Sequence, residues 1–139
     1  SGEYMNIIGT LAAHQRNPAS QGGLRGLCMP LAPEIVTVGE LKQLLAKDGD
    51  APLLLDCRER EEVAIAQIRG ALHIPMGDIP ARWAELDPDR HTVVYCHHGV
   101  RSHKVALWLL EHGGFARVGS LRGGIDAWSC EIDPATPRY

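Results

Sequence analysis

An α/β fold with a central parallel sheet and helices on both faces is the architecture this sequence predicts, and three observations carry it. Short continuous apolar runs, such as Leu53-Leu54-Leu55 and Val93-Val94-Tyr95, read as strands buried on both sides. Between these runs lie stretches with helical start signals and apolar faces, and strands separated by helices imply right-handed crossovers and parallel pairing. Breakers such as Asp48-Gly49-Asp50, Pro75 and Gly113-Gly114 then end the elements.

Taken in order, Ile35-Val36 starts a first strand. Thr37-Val38-Gly39-Glu40 is a capping box in which Thr37 and Glu40 satisfy the first amides of a helix running to about Lys47. The strand Leu53–Leu55 follows, with Asp56-Cys57-Arg58-Glu59 at its C-terminal end. Ala71-Leu72-His73-Ile74-Pro75 is a short strand stopped by proline. Asp78 can cap a helix carrying Ile79, Trp83 and Leu86. Thr92–Tyr95 is the next strand and Ser102–His112 the next helix, closed by Gly113-Gly114. Phe115–Val118 makes the last strand, and Gly123–Trp128 a short final helix. In an open parallel sheet the ligand site lies at the C-terminal ends of the strands, where Asp56, Arg58, Glu59 and the loop after Tyr95 all fall.

Residues 34–139 thus make one domain, and residues 1–33 read as an extended or partly ordered arm. The arm holds Gly2, Gly9, Gly22, Gly23, Gly26, Pro18, Pro30 and Pro33, shows no sustained period, and has Glu3 as its only acid. Ser1-Gly2 fits a tag remnant, with Met5 as a native start. No basic residues precede the apolar stretch Ile7–Ala13, which argues against a secretory signal; Arg16 and Arg25, with no acids from Met5 to Pro33, leave a transit peptide open. The 139 residues are 45% hydrophobic and 22% charged with a net charge of −3, so no global feature calls for nucleic acid or a membrane. The four cysteines, Cys28, Cys57, Cys96 and Cys130, are far apart and form no Cys-x-x-Cys pair. That spacing suits reduced thiols in a cytoplasmic compartment better than a disulfide framework or a zinc site.

The chemistry concentrates at Cys96. A strand that runs into a cysteine-headed loop and then a helix surrounds the thiol with inward-pointing amides and the positive end of a helix dipole. That field favours thiolate, making Cys96 a nucleophile for sulfur or phosphorus chemistry. The loop amides run from His97 and His98 through Gly99, Val100 and Arg101 to Ser102, and Gly99 lets the chain turn without a Cβ clash. The Arg101 guanidinium can grip an oxyanion with two hydrogen bonds. Ser102 can cap the following helix and turn its hydroxyl to the sulfur. His97 and His98 either add positive potential or simply shape the pocket. A metal site from His97, His98 and His103 is poorly placed, because adjacent histidines in a tight loop seldom converge. Asp56, Arg58 and Glu59 either orient the loop through charged hydrogen bonds or form ordinary strand-end ion pairs. Cys57 reads as a small buried side chain, His73 as a hydrogen-bonded core histidine, and Trp83, Trp108 and Trp128 as packing residues.

These residues resemble the rhodanese family, specifically its single-domain sulfurtransferases. Four motifs agree in order: Leu53–Glu59, Glu62 through Pro75, Tyr95–Ser102 and Leu121–Trp128. Cys57 stands where a valine is common and Gln67 where many members carry histidine. The resemblance covers about residues 34–139 and implies a rhodanese-like fold. It also implies a mechanism in which Cys96 thiolate takes the outer sulfur of a donor such as thiosulfate, then passes it from a persulfide to cyanide or a thiol. The partners implied are a small sulfur donor and a thiol acceptor, with a protein acceptor open, and no metal or organic cofactor.

Two other readings compete. Phosphatases that resemble rhodaneses place five residues between cysteine and arginine, whereas His97, His98, Gly99 and Val100 make four, which suits a sulfur carried on cysteine. A non-catalytic protein-binding module often lacks the cysteine, which is present here with its arginine.

Overall fold

The computed structural model describes residues 31–47 and 49–139. Nearly all of the expected arm, with Cys28, lies outside them. Five strands form one parallel sheet: β1 (Glu34–Val36), β2 (Leu53–Asp56), β3 (Leu72–His73), β4 (Thr92–Tyr95) and β5 (Val118–Leu121), in the order β1-β5-β4-β2-β3. The helices are α1 (Val38–Leu45), α2 (Arg60–Ile65), α3 (Ile79–Arg82), α4 (Val100–His112) and α5 (Gly124–Glu131). The predicted class is therefore observed.

Side chains alternate across the sheet, so neighbours in one strand enter different cores. Leu55, Val94 and Cys96 pack with Val105, Trp108 and Leu109 of α4 and with Ile79 and Leu86. Leu54, Val93 and Tyr95 pack on the other face with Leu41 of α1 and Ile125 and Trp128 of α5. Trp83 meets Trp108 edge to face at 6.1 Å, so all three tryptophans serve packing as expected.

The α1 capping box is present, with Thr37 N on Glu40 Oε1 at 2.9 Å and Glu40 N on Thr37 Oγ1 at 3.1 Å. Other boundaries needed tertiary information. The helix after the cysteine loop starts at Val100 with Gly99 as its cap, so Ser102 lies inside the first turn and does not cap it. The last strand begins at Val118, because the Phe115 amide is held by the Leu109 carbonyl and that of Ala116 by Pro88 before pairing with β4 starts. Asp78 makes no side-chain capping bond; a 3₁₀ turn (Met76–Asp78) leads into α3, which carries Pro80 in its first turn. The short helix α2 was not foreseen from the sequence, and it carries the residue that engages Arg101. Among the described residues, no helix is long and apolar enough to cross a membrane.

Candidate active site at the C-terminal edge of the sheet

Cys96 follows β4 at the centre of the sheet and is 1% exposed. Its sulfur accepts the Gly99 amide at 3.1 Å and the Ser102 amide at 3.4 Å. The Ser102 hydroxyl lies 3.5 Å from the sulfur, 2.8 Å from Ser120 Oγ and 3.2 Å from the Gly99 carbonyl oxygen, to which it donates. The two amides converge where negative charge on sulfur needs stabilising. Gly99 reaches this turn at φ +111°, a left-handed conformation that a side chain would strain. Ser120, on the neighbouring strand β5, fixes the hydroxyl from below, and nothing local in the sequence singled it out.

The loop is clamped from outside by α5. Ile125 N donates to the Cys96 carbonyl at 2.9 Å and Asp126 N to the His97 carbonyl at 3.2 Å. Gly124 makes this approach possible, since a Cβ there would overlap both carbonyl oxygens.

Arg101 does not stand free beside the sulfur. Its two terminal nitrogens hold the Glu62 carboxylate of α2 at 2.6 and 2.8 Å. Glu62 also accepts the Glu59 amide at 3.1 Å and the Tyr139 hydroxyl at 2.8 Å. These donors, Arg101 first, hold the Glu62 carboxyl down at about 2. Burial pushes the Tyr139 phenol up to about 12, which keeps its proton available to Glu62. The Tyr139 ring stacks on His97 at 4.0 Å, and His97 stacks on His98 at 3.9 Å. Burial, and then the neighbouring His98, lower the His97 imidazole from its ordinary value and favour its neutral form.

Beneath the loop, Asp56 and Arg58 form a fully buried ion pair at 2.7 Å. Tyr95, immediately before Cys96, donates its hydroxyl to Asp56 at 2.8 Å and accepts the Ile68 amide at 3.1 Å. Arg58 reaches the Tyr139 hydroxyl at 2.8 Å and the Ala66 carbonyl at 2.7 Å. Asp56 and Arg58 form the ion pair that the sequence offered as one reading, and Asp56 also holds the hydroxyl of Tyr95, the residue before Cys96. Glu59 does not join them; it is exposed at the cap of α2 and contributes its backbone amide. Val100 opens α4 and is 66% exposed. His73 bonds the Arg58 carbonyl through Nε2 at 2.6 Å. Glu62 and Tyr139 are the residues that sequence reasoning missed as site members. Three glutamates crowd positions 59–62, and only packing shows which one faces the loop. No cluster of histidine, cysteine or carboxylate side chains suited to a metal occurs among the described residues.

The rhodanese-like domain model matches residues 37–131. The chain belongs to that family. A sulfurtransferase from Allochromatium vinosum is 44% identical over 89 residues, covering 64% of this chain and 81% of the relative. A thiosulfate sulfurtransferase from Coxiella burnetii is 34% identical over 76 residues, covering 55% of this chain and 70% of its own. Among solved structures, a rhodanese-like domain protein from Staphylococcus aureus superposes with a TM-score of 0.64 at 28% identity, over 76% of this chain and 98% of that one. The rhodanese motifs quoted from the sequence thus sit on a rhodanese-like fold, and these relatives support sulfurtransferase activity as the general class.

Proposed function

We propose that this rhodanese-like domain transfers a sulfane sulfur through a persulfide on Cys96. The observation that carries the reading is the pair of amides, Gly99 and Ser102, aimed at the Cys96 sulfur that heads the loop. In the first half-reaction the Cys96 thiolate attacks the outer sulfur of the donor. The donor's bond to that sulfur breaks, sulfite leaving from thiosulfate or a thiol from an organic persulfide. The same amides then stabilise the charge on the bound persulfide. In the second half-reaction cyanide or a thiol attacks the terminal sulfur and Cys96 returns as thiolate. His97, His98, Val100 and Arg101 shape the loop, while Asp56 and Arg58 position it through Tyr95. The partners are a small sulfur donor and a thiol acceptor, with a protein thiol as a further candidate acceptor. This chemistry calls for no metal or organic cofactor, and a reducing, cytoplasmic compartment suits it.

Intact mass after incubation with thiosulfate or glutathione persulfide, then with cyanide, tests the proposal. One added sulfur, removed by cyanide and absent from Cys96→Ser, is the expected result. Turnover in that variant should fall about a thousandfold, because the covalent route is gone. Sulfur uptake by the variant, or none by the reduced native protein with either donor, overturns the proposal.

A further inference from the structure

We propose that Glu62, held in place by Tyr139, makes this site select against small doubly charged oxyanion donors and in favour of a persulfide carried on an organic thiol. The inference rests on the sulfur-transfer reading above and narrows its donor class. Arg101 is the guanidinium nearest the loop in sequence, and Glu62 occupies both of its terminal nitrogens at 2.6 and 2.8 Å. Beneath the loop, Arg58 is committed to Asp56, Ala66 and Tyr139. Arg138 pairs with Asp126 at 3.1 Å on the helix that clamps the loop. His103 and Lys104 are exposed on α4, where solvent screens them.

The two loop amides suit a single charge on sulfur. A dianion such as thiosulfate brings a sulfonate as well, and the guanidinium suited to it is already neutralised. Drawing Arg101 away would strip two hydrogen bonds from Glu62 and leave a half-buried carboxylate beside an arriving anion. Tyr139 opposes that movement, since its hydroxyl donates to Glu62 while its ring lies flat on His97.

An organic persulfide makes no such demand. The terminal sulfur of RS–SH bonds to Cys96 thiolate, the donor S–S bond breaks, RSH departs with the proton, and Cys96–S–S⁻ remains. The stack His98–His97–Tyr139, with exposed Val100 beside it in the loop, offers an aromatic and apolar surface for the R group.

The test is steady-state transfer to cyanide from thiosulfate and from glutathione persulfide, with the Cys96→Ser rate subtracted as the blank. Native protein, Glu62→Gln and Tyr139→Phe are compared. The native protein should have the higher kcat/KM with glutathione persulfide. In Glu62→Gln the thiosulfate-to-persulfide ratio of kcat/KM should rise about tenfold, mostly through a lower thiosulfate KM, as expected when one like charge leaves the site. Tyr139→Phe keeps the ring stack and loses only the hydroxyl, so the ratio should rise about threefold, in keeping with loss of its one hydrogen bond to Glu62. It also carries the test if Glu62→Gln does not fold. A native preference for thiosulfate, or variants that change both donors equally, overturns the inference while leaving Cys96 chemistry intact. Absence of sulfur uptake from either donor overturns the underlying reading and the inference together.

Discussion

Two cysteines sit side by side at the ends of neighbouring strands, and they have opposite surroundings. Asp56 pairs with Tyr95 in the β2–β4 register, so Cys57 and Cys96 are the next residues along. Both thiols are buried and both belong to the same core cluster. The Cys96 sulfur accepts the Gly99 and Ser102 amides, donors of the kind that stabilise negative charge. Cys57 faces the Tyr95 carbonyl at 3.5 Å, an acceptor that requires the thiol to keep its proton. Burial, reinforced by the charge of Cys96 and Asp56, pushes the Cys57 thiol well up. The residue type and the depth are shared; the sign of the surrounding dipoles separates the proposed nucleophile from filler.

The comparison can be broken most forcefully from the Cys57 side. Asp56→Ala leaves Arg58 buried without its carboxylate partner and the Tyr95 hydroxyl proton without its acceptor. Urea unfolding should show a loss of about 3–5 kcal/mol, the range for removing one member of a buried ion pair. A loss under about 1 kcal/mol would mean that the pair does not anchor β4 ahead of the loop.

From the Cys96 side, Gly124→Ala forces a methyl group against the Cys96 and His97 carbonyls. Displacing the clamp should cost about 1–3 kcal/mol in stability and slow cyanide-dependent turnover by about tenfold or more, as overpacking and small misplacements do. Stopped-time alkylation of Cys96 would report the same loss, and an unchanged rate would show that α5 does not set the loop.

Acid sensitivity sharpens the contrast at a subtler level. The folded state holds Glu62 at about 2, below its ordinary value of 4.5, so its contribution is full above that ordinary value. As pH falls from there through about 2, the contribution is lost. Thermal midpoints across that window should decline more steeply for the native protein than for Glu62→Gln. Parallel declines would remove Glu62 as the source.

The smallest effect belongs to Cys57→Val. A near-isosteric apolar swap in a site where the thiol stays protonated should change stability by less than about 1.5 kcal/mol. Turnover should stay within about twofold of native, a free-energy difference below about 0.5 kcal/mol. A large fall in sulfur transfer would give Cys57 a chemical part and erase the distinction drawn here.

Much of the site was readable in the sequence because it is local. The loop from Cys96 to Ser102 spans seven residues, and its glycine and amides can be counted along the chain. The capping box at Thr37 and Glu40 was legible for the same reason, since both partners lie within one helical turn. Ser102 was misread as the helix cap because the left-handed turn at Gly99 starts the helix earlier than residue preference suggests. The strand placed at Phe115 moved to Val118, because pairing register with β4 is a property of two segments, not one.

Sequence alone determined the alternation of strands and helices, the parallel sheet and the cysteine-headed loop, all products of short-range periodicity and backbone chemistry. Tertiary structure decided the strand order, the clamp by Gly124 and the capture of Arg101. Arg101 meets Glu62 across 39 residues and Tyr139 meets Glu62 across 77. A guanidinium has equal affinity for any carboxylate within reach, so packing of α2 and the last residues against the sheet chose which one it holds.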